Sequence, residues 1–153
     1  RRARLAFFLT LAMAFTAAPV RADDDWNDKA IAWQSSYDAG LALAKKEKKP
    51  ICLSFVAPWS DRSARYATVF HDAAVVDKAK RFVMIRLEID PQNAKWSVKY
   101  APDGQYVPRT FFLSPAGDLW EDVHPPQDEY KYYYRFDPKT TLAGMDAALA
   151  KLK

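Results

Sequence analysis

The sequence predicts a single-domain α/β sandwich, and three observations point there. Ile51-Cys52-Leu53-Ser54-Phe55-Val56 is an apolar run of strand length, bounded by Pro50 and Ala57-Pro58, as in a central strand covered on both faces. Further short apolar runs alternate with segments of helical spacing, the pattern of a sheet layered with helices. The chain also ends in a well-punctuated helix: Asp137 caps it, Pro138 takes its first position, and Leu142, Met145, Leu149 and Leu152 form one stripe. The predicted order is helix, β, α, β, α, β, β, α.

The elements follow in turn. Ser35-Ser36 offers a helix cap, and Tyr37, Leu41 and Ala44 follow at helical spacing. Lys45-Lys46-Glu47-Lys48-Lys49 then sits at the helix C-terminus, where cations complement the dipole, and Pro50 stops the helix. No aromatic residues interleave the lysines, so the run reads as a solvated helix end rather than a nucleic-acid site. After β at 51–56 and the loop Ala57-Pro58-Trp59, a helix is expected over 60–70 and a short one over 73–80. Residues 82–87 form the second strand, reached by a right-handed crossover if parallel to the first. A polar helical or irregular stretch spans 91–100, and a third strand spans 110–113. Pro115-Ala116-Gly117-Asp118 turns into a fourth strand near Leu119-Trp120. Tyr130, Tyr132, Tyr134 and Phe136 alternate with Lys131, Tyr133 and Arg135, predicting one more extended segment packed across the sheet.

Composition narrows the function. With 153 residues, half of them hydrophobic and 27% charged, the chain is neither disordered nor a multidomain machine. Its formal charge of +4 resides in residues 1–22, which hold Arg1, Arg2, Arg4 and Arg21 and no acid. Residues 23–153 balance 19 basic against 19 acidic side chains, so no general basic field for nucleic acid remains. The basic start, the apolar run from Leu5 to Phe15 and the ending Val20-Arg21-Ala22 predict a secretory signal peptide over 1–22. That run falls short of the roughly 20 apolar residues that span a bilayer, so no stable membrane insertion is expected once it is removed. The domain, 23–153, is then expected in the periplasm or secreted. The ending Lys151-Leu152-Lys153 carries no Lys-Asp-Glu-Leu type signal, which makes the endoplasmic reticulum lumen the less favoured compartment.

At the first loop the residues become family-specific. Lys49 to Val56, then Pro58-Trp59-Ser60-Asp61-Arg62-Ser63, then Val107-Pro108, resembles the thioredoxin fold. More closely, Pro102-Asp103-Gly104-Gln105-Tyr106-Val107-Pro108-Arg109 resembles the anterior gradient proteins, their small thioredoxin-like relatives of the endoplasmic reticulum, and bacterial exported thioredoxin-like proteins. Trp33-Gln34-Ser35-Ser36-Tyr37, Phe112-Leu113-Ser114-Pro115 and Tyr130-Lys131-Tyr132-Tyr133-Tyr134 fall in matching order, so the likeness covers roughly 33–152. It implies a three-layer α/β/α sandwich around a central mixed sheet, a polypeptide client or redox partner protein, and no cofactor. It also implies that Pro108 is a cis-proline facing the active pair, with Val107 holding the client backbone extended.

The family exchanges disulfides through Cys-x-x-Cys at the start of the helix after the central strand. A thiol there is ionised by the helix dipole and free amides, and a second thiol one turn later resolves the mixed disulfide. Here Ser60 and Ser63 occupy both cysteine positions, and a hydroxyl cannot exchange with a disulfide sulfur. The one cysteine, Cys52, lies eight residues earlier in the strand and reads as a buried structural thiol. One cysteine also excludes an internal dithiol and a cysteine-based zinc cluster. Ser60-Asp61 reads equally as a helix cap.

Other chemistries find less support. His71 and His124 have neither Gly-x-Ser-x-Gly nor metal-ligand spacing around them. Glu88 and Asp90 read as polar strand termination, and four glycines leave no phosphate-cradling loop. The expectation is a redox-inactive, chaperone-like module binding extended polypeptide through Trp59, Ser60, Val107 and Pro108. The alternative is a thiol-disulfide oxidoreductase whose two active-site cysteines have been exchanged for serine. A third reading is a homodimer pairing through the helix at 37–43, which matches in position a pairing segment of the anterior gradient proteins.

Overall fold

The computed structural model describes residues 24–153; the expected signal segment, 1–22, lies outside the described residues. β1 (Ile51–Val56) forms the middle of a three-stranded sheet of order β2-β1-β3. β2 (Val83–Glu88) runs parallel to it, with Ile51 opposite Val83 and Val56 opposite Glu88. β3 (Arg109–Leu113) runs antiparallel, with Ile51 opposite Leu113 and Phe55 opposite Arg109. Each edge is extended by a single bridge, Gln34 onto β2 and Leu119 onto β3.

Every residue of β1 is buried because both faces of the sheet are covered. The period of two along the strand divides the core. Ile51, Leu53 and Phe55 pack on one face with Tyr37 and Ala44 of α1 (Tyr37–Glu47), beside Trp96 of α4 (Ala94–Lys99). Cys52 and Val56 pack on the other, under α2 (Asp61–Ala67), a 3₁₀ turn at Thr68–His71, α3 (Ala73–Ala79) and α5 (Pro138–Ala150). The result is the three-layer α/β/α sandwich with a mixed sheet.

Two glycines set how closely the outer layers approach. A Cβ on Gly40 would collide with the Ile85 side chain, so α1 can lie on β2 only without one. A Cβ on Gly144 would come 2.7 Å from the Tyr134 hydroxyl and 2.9 Å from Phe112, which fixes α5 against β3. The caps read from the sequence are present. Ser36 Oγ accepts from Ala39 N–H at 3.3 Å, and Asp137 Oδ1 accepts from Thr140 N–H at 3.0 Å ahead of Pro138. α1 ends on Lys48 in the left-handed conformation (φ 55°), whose N–H donates back to Ala44 C=O.

Four expectations are corrected. The fourth strand near Leu119-Trp120 is reduced to a single bridge between Leu113 and Leu119, made by Ser114 N–H to Asp118 C=O (2.8 Å) and Trp120 N–H to Phe112 C=O (3.0 Å), because the chain then turns, Val123 N–H donating to Trp120 C=O at 3.0 Å. Residues 130–136 form no strand: Tyr130 is left-handed (φ 48°), and Gln127 Nε2 donates to Tyr130 C=O and Tyr133 C=O, gathering the segment into turns. Its alternation nevertheless buries Tyr132 and Tyr134. The helix expected over 60–70 passes into the 3₁₀ turn at Thr68. Leu152 falls beyond the end of α5 and is exposed, while Met145 and Leu149 are core.

Candidate functional site at the head of α2

β1 delivers the chain to Ala57, and the next three residues turn it into α2. The turn is closed from both ends. Ser60 N–H donates to Ala57 C=O at 3.1 Å, and Ala57 N–H donates to Ser63 Oγ at 3.1 Å. Ser60 is the N-cap of α2, with extended backbone (φ −94°, ψ 117°) and its Oγ accepting from Ser63 N–H at 3.2 Å. Both hydroxyls therefore satisfy backbone donors that the loop and the helix start leave open. Ser63 is fully buried and Ser60 partly so. Trp59, between them and the strand, is 67% exposed, unusual for so large an apolar side chain.

The second half of the site comes from the start of β3. Because Phe55 pairs with Arg109, continuing the antiparallel register brings the residues before Arg109 alongside the end of β1, where the Ser60 loop begins. The Val107–Pro108 peptide bond is cis. Pro108 is buried and Val107 half-buried, so Pro108 shapes the backbone there rather than offering a contact surface. Val107 N–H and C=O have no hydrogen-bond partner among the described residues.

Sequence reasoning missed the residues that hold this segment in place. Arg109 is fully buried, with no ion-paired carboxylate among the described residues. Its guanidinium donates to Tyr100 C=O (3.1 Å), Tyr106 C=O (2.9 Å), Ser97 C=O (2.8 Å) and Ser97 Oγ (2.9 Å), and it lies 4.4 Å from the Phe55 ring centre. These bonds clamp α4 and the 100–106 connection to the sheet. Burial lowers its pKa to about 10, leaving it charged at neutral pH. Tyr106 OH donates to Asp103 Oδ1 at 2.8 Å and accepts from Tyr132 N–H at 3.0 Å, while Asp103 Oδ2 accepts from Lys131 N–H at 2.7 Å. The segment 103–109 is thus tied to the tyrosine-rich segment. That segment also reaches α2, where the Arg65 guanidinium lies 4.4 Å from the Phe136 ring centre. The only signal for these roles was the 102–109 octet as a block.

The remaining candidates are structural. Cys52 is fully buried, and desolvation pushes its thiol up to about 12, so it is neither accessible nor ionised near neutral pH. Tyr37, expected in a pairing surface, is core: it is 3% exposed, stacks on Trp96 at 3.8 Å and shares a hydrogen bond with Tyr100 OH. Asp90 Oδ1 caps the turn after β2 by accepting from Asn93 N–H at 2.8 Å. His71 bonds Asp25 C=O at 2.9 Å, and His124 bonds its neighbour Pro125 C=O at 2.7 Å. No group of three or more His, Cys, Asp or Glu that could hold a metal occurs among the described residues. Nor is any helix there long and apolar enough to cross a membrane.

Comparison with known proteins agrees with this geometry. A family model described as thioredoxin-like matches residues 32–115. Anterior gradient protein 2-B of Xenopus laevis is 27% identical, over 96% of this chain and 93% of its own length. The human anterior gradient protein 2 homolog is 29% identical, over 84% of this chain and 71% of its own. Among solved structures, a thioredoxin from Thermus thermophilus superposes with TM-score 0.61 at 20% identity, over 80% of this chain and 89% of its own. A disulphide isomerase from Xylella fastidiosa Temecula1 superposes with TM-score 0.52 at 16% identity, over 93% of this chain and all of its own. The structure titled DsbH Oxidoreductase superposes with TM-score 0.59 at 17% identity, over 90% of this chain and 92% of its own.

Proposed function

This chain belongs to the thioredoxin-like family, and from that premise we propose that it is a redox-inactive, chaperone-like module that binds extended polypeptide at the head of α2. One observation carries the reading: the two hydroxyls at the family's cysteine positions are engaged as backbone caps, while the only thiol is buried in the sheet. A mixed disulfide forms when a thiolate sulfur attacks a disulfide and displaces the other sulfur, and serine supplies only a hydroxyl oxygen, so none forms at residue 60. What remains is the recognition surface. Trp59 supplies exposed apolar area, and the unpaired N–H and C=O of Val107 offer a client the two bonds of a strand addition. Arg109, Tyr106 and Asp103 hold that backbone in place without touching the client.

The reading includes export. Residues 1–22 are removed as a signal, and the domain 23–153 works in the periplasm or outside the cell; N-terminal sequencing of the protein from those fractions checks this.

The functional test has two arms. In an insulin-reduction assay with dithiothreitol, the protein accelerates precipitation no more than a protein-free control. In isothermal titration against a reduced, carboxymethylated polypeptide it binds, and Trp59→Ala weakens binding about tenfold, as expected for an aromatic anchor worth roughly 1–2 kcal/mol. Catalysed insulin reduction, or no polypeptide binding at all, overturns the proposal.

The paired replacement, one residue at the helix cap and the other a turn later, favours a second reading: an oxidoreductase whose two cysteines have been exchanged for serine. The native codons at 60 and 63 decide it. Cysteine at both makes this chain the inactive form of a thiol-disulfide oxidoreductase, with 60 the nucleophile and 63 the resolving position.

A further inference from the structure

At the opposite end of the sheet the outer ladder of β2 is interrupted. Val83 N–H donates to Pro50 C=O and Ile89 N–H to Val56 C=O, each at 2.9 Å, so odd-numbered residues of β2 direct their backbone toward β1. Met84 and Arg86 therefore direct theirs to the outer edge. Gln34 takes two of those groups: its N–H donates to Met84 C=O at 2.8 Å, and its C=O accepts from Arg86 N–H at 3.0 Å. The next rung of such a parallel ladder would join Met84 N–H to Ala32 C=O. It is not made. Trp33 N–H closes on Ile31 C=O at 3.0 Å, and this tight turn carries the chain off the edge. Met84 N–H has no hydrogen-bond partner among the described residues.

Beside that interrupted edge lies a cavity of about 300 Å3, with Ala32, Phe82 and Met84 along the strand and Leu43, Val76 and Ala79 as apolar walls. Glu47, Lys49 and Lys80 complete its lining. The surrounding sequence is strongly cationic. Residues 45–49 hold four lysines and one glutamate, and residues 77–81 hold two lysines, one arginine and one aspartate. Lys78 is paired with Asp146 of α5, while Lys49 pairs with Glu47 at 3.2 Å and Lys80 with Asp77 at 3.5 Å, the last two as exposed pairs of little strength. Lys45, Lys46, Lys48 and Arg81 make no ion pair among the described residues. Since residues 23–153 carry no net formal charge, this end is positive at the expense of the remainder.

We propose that this cavity docks a short acidic peptide of a partner protein, which continues the sheet on the outer edge of β2 where Gln34 leaves it. A peptide C=O accepts from Met84 N–H, alternate apolar side chains enter the cavity between Leu43, Val76 and Ala79, and acidic side chains meet the lysines at the rim. The site is separate from the Ser60 loop, which stands at the other end of β1, and it does not depend on the function proposed there.

The experiment is fluorescence anisotropy with a labelled hexapeptide alternating Asp and Val. Binding is expected to weaken as salt is raised, and at least tenfold when alternate peptide nitrogens are methylated. Lys45→Glu/Lys46→Glu/Lys48→Glu, all exposed positions, is expected to weaken it at least tenfold. Ala32→Trp, filling the cavity from its exposed wall, is expected to abolish it, with circular dichroism confirming the fold; Trp59→Ala is expected to leave it unchanged. A Lys-Val peptide binding equally well, no effect of Ala32→Trp, displacement by a single-stranded oligonucleotide of higher affinity, or occupation of the cavity by a second copy in sedimentation would overturn the proposal.

Discussion

Ser60 and Cys52 stand eight residues apart and occupy opposite environments for a nucleophile. Ser60 caps a helix: its Oγ accepts from the Ser63 amide, it is partly exposed, and Trp59 beside it is largely exposed. Cys52 is the second residue of the central strand, between Met84 and Phe112 and in one buried cluster with Tyr66, with no solvent access. The first setting would stabilise a thiolate and contains no sulfur. The second contains the sulfur and suppresses its ionisation, since the low dielectric disfavours the charged form. In this chain the setting that would favour a thiolate and the thiol itself therefore lie apart.

The largest expected effect is on alkylation. In Ser60→Cys, iodoacetamide at pH 7 is expected to modify residue 60 on the order of 10⁴-fold faster than Cys52, from the thiolate fractions of a helix-start thiol near 7 and a buried one at about 12. Peptide mapping by mass spectrometry reads both sites at once; comparable rates would mean the loop does not activate a thiol.

Next in size is the pH dependence of stability. The Cys52 thiol rises from its ordinary value near 9 to about 12, and Tyr66 beside it is also raised, both chiefly by burial. Each is neutral in the folded state while the unfolded chain ionises, so its contribution is complete below about pH 9 and declines as pH climbs toward 12. Urea midpoints are expected to fall progressively from pH 9 to 11, and Cys52→Ala is expected to flatten that fall.

The smallest effects separate the two hydroxyl environments. Ser60→Ala removes a cap and is expected to cost about 1 kcal/mol. Cys52→Ser buries a hydroxyl in the apolar layer and is expected to cost about 1–3 kcal/mol. Urea denaturation measures both, and the reverse order would show that Cys52 sits in a more polar pocket than its neighbours provide.

The two faces of the sheet also differ in how they hold polar groups. On the Cys52 face, Ser54 Oγ and Tyr66 OH both bond Thr110 Oγ1, at 2.8 and 3.0 Å, so buried hydroxyls satisfy one another. On the opposite face Arg109 brings a full charge inside and spends four donors on carbonyls and one serine. None of that was legible in the sequence. Ser54 and Thr110 read simply as strand residues, and Arg109 as the last letter of a familiar octet. Pairings across dozens of residues leave no local trace.

Where a residue's role depends on its immediate neighbours, the linear chain was sufficient. The buried run Ile51–Val56, the caps at Ser36, Ser60 and Asp137, and Pro138 at a helix start follow from spacing and side-chain chemistry alone. Where the role depends on what is packed against it, folding supplied the answer. Tyr37 became core because Trp96 and Tyr100 pack against it, the tyrosine segment curled because Gln127 and Asp103 take its backbone, and the ladder on the edge of β2 stopped at Gln34 because Trp33 N–H turns onto Ile31 C=O. Short-range hydrogen bonds and periodicity are written into neighbouring residues, whereas burial is a property of the surface left when distant segments meet.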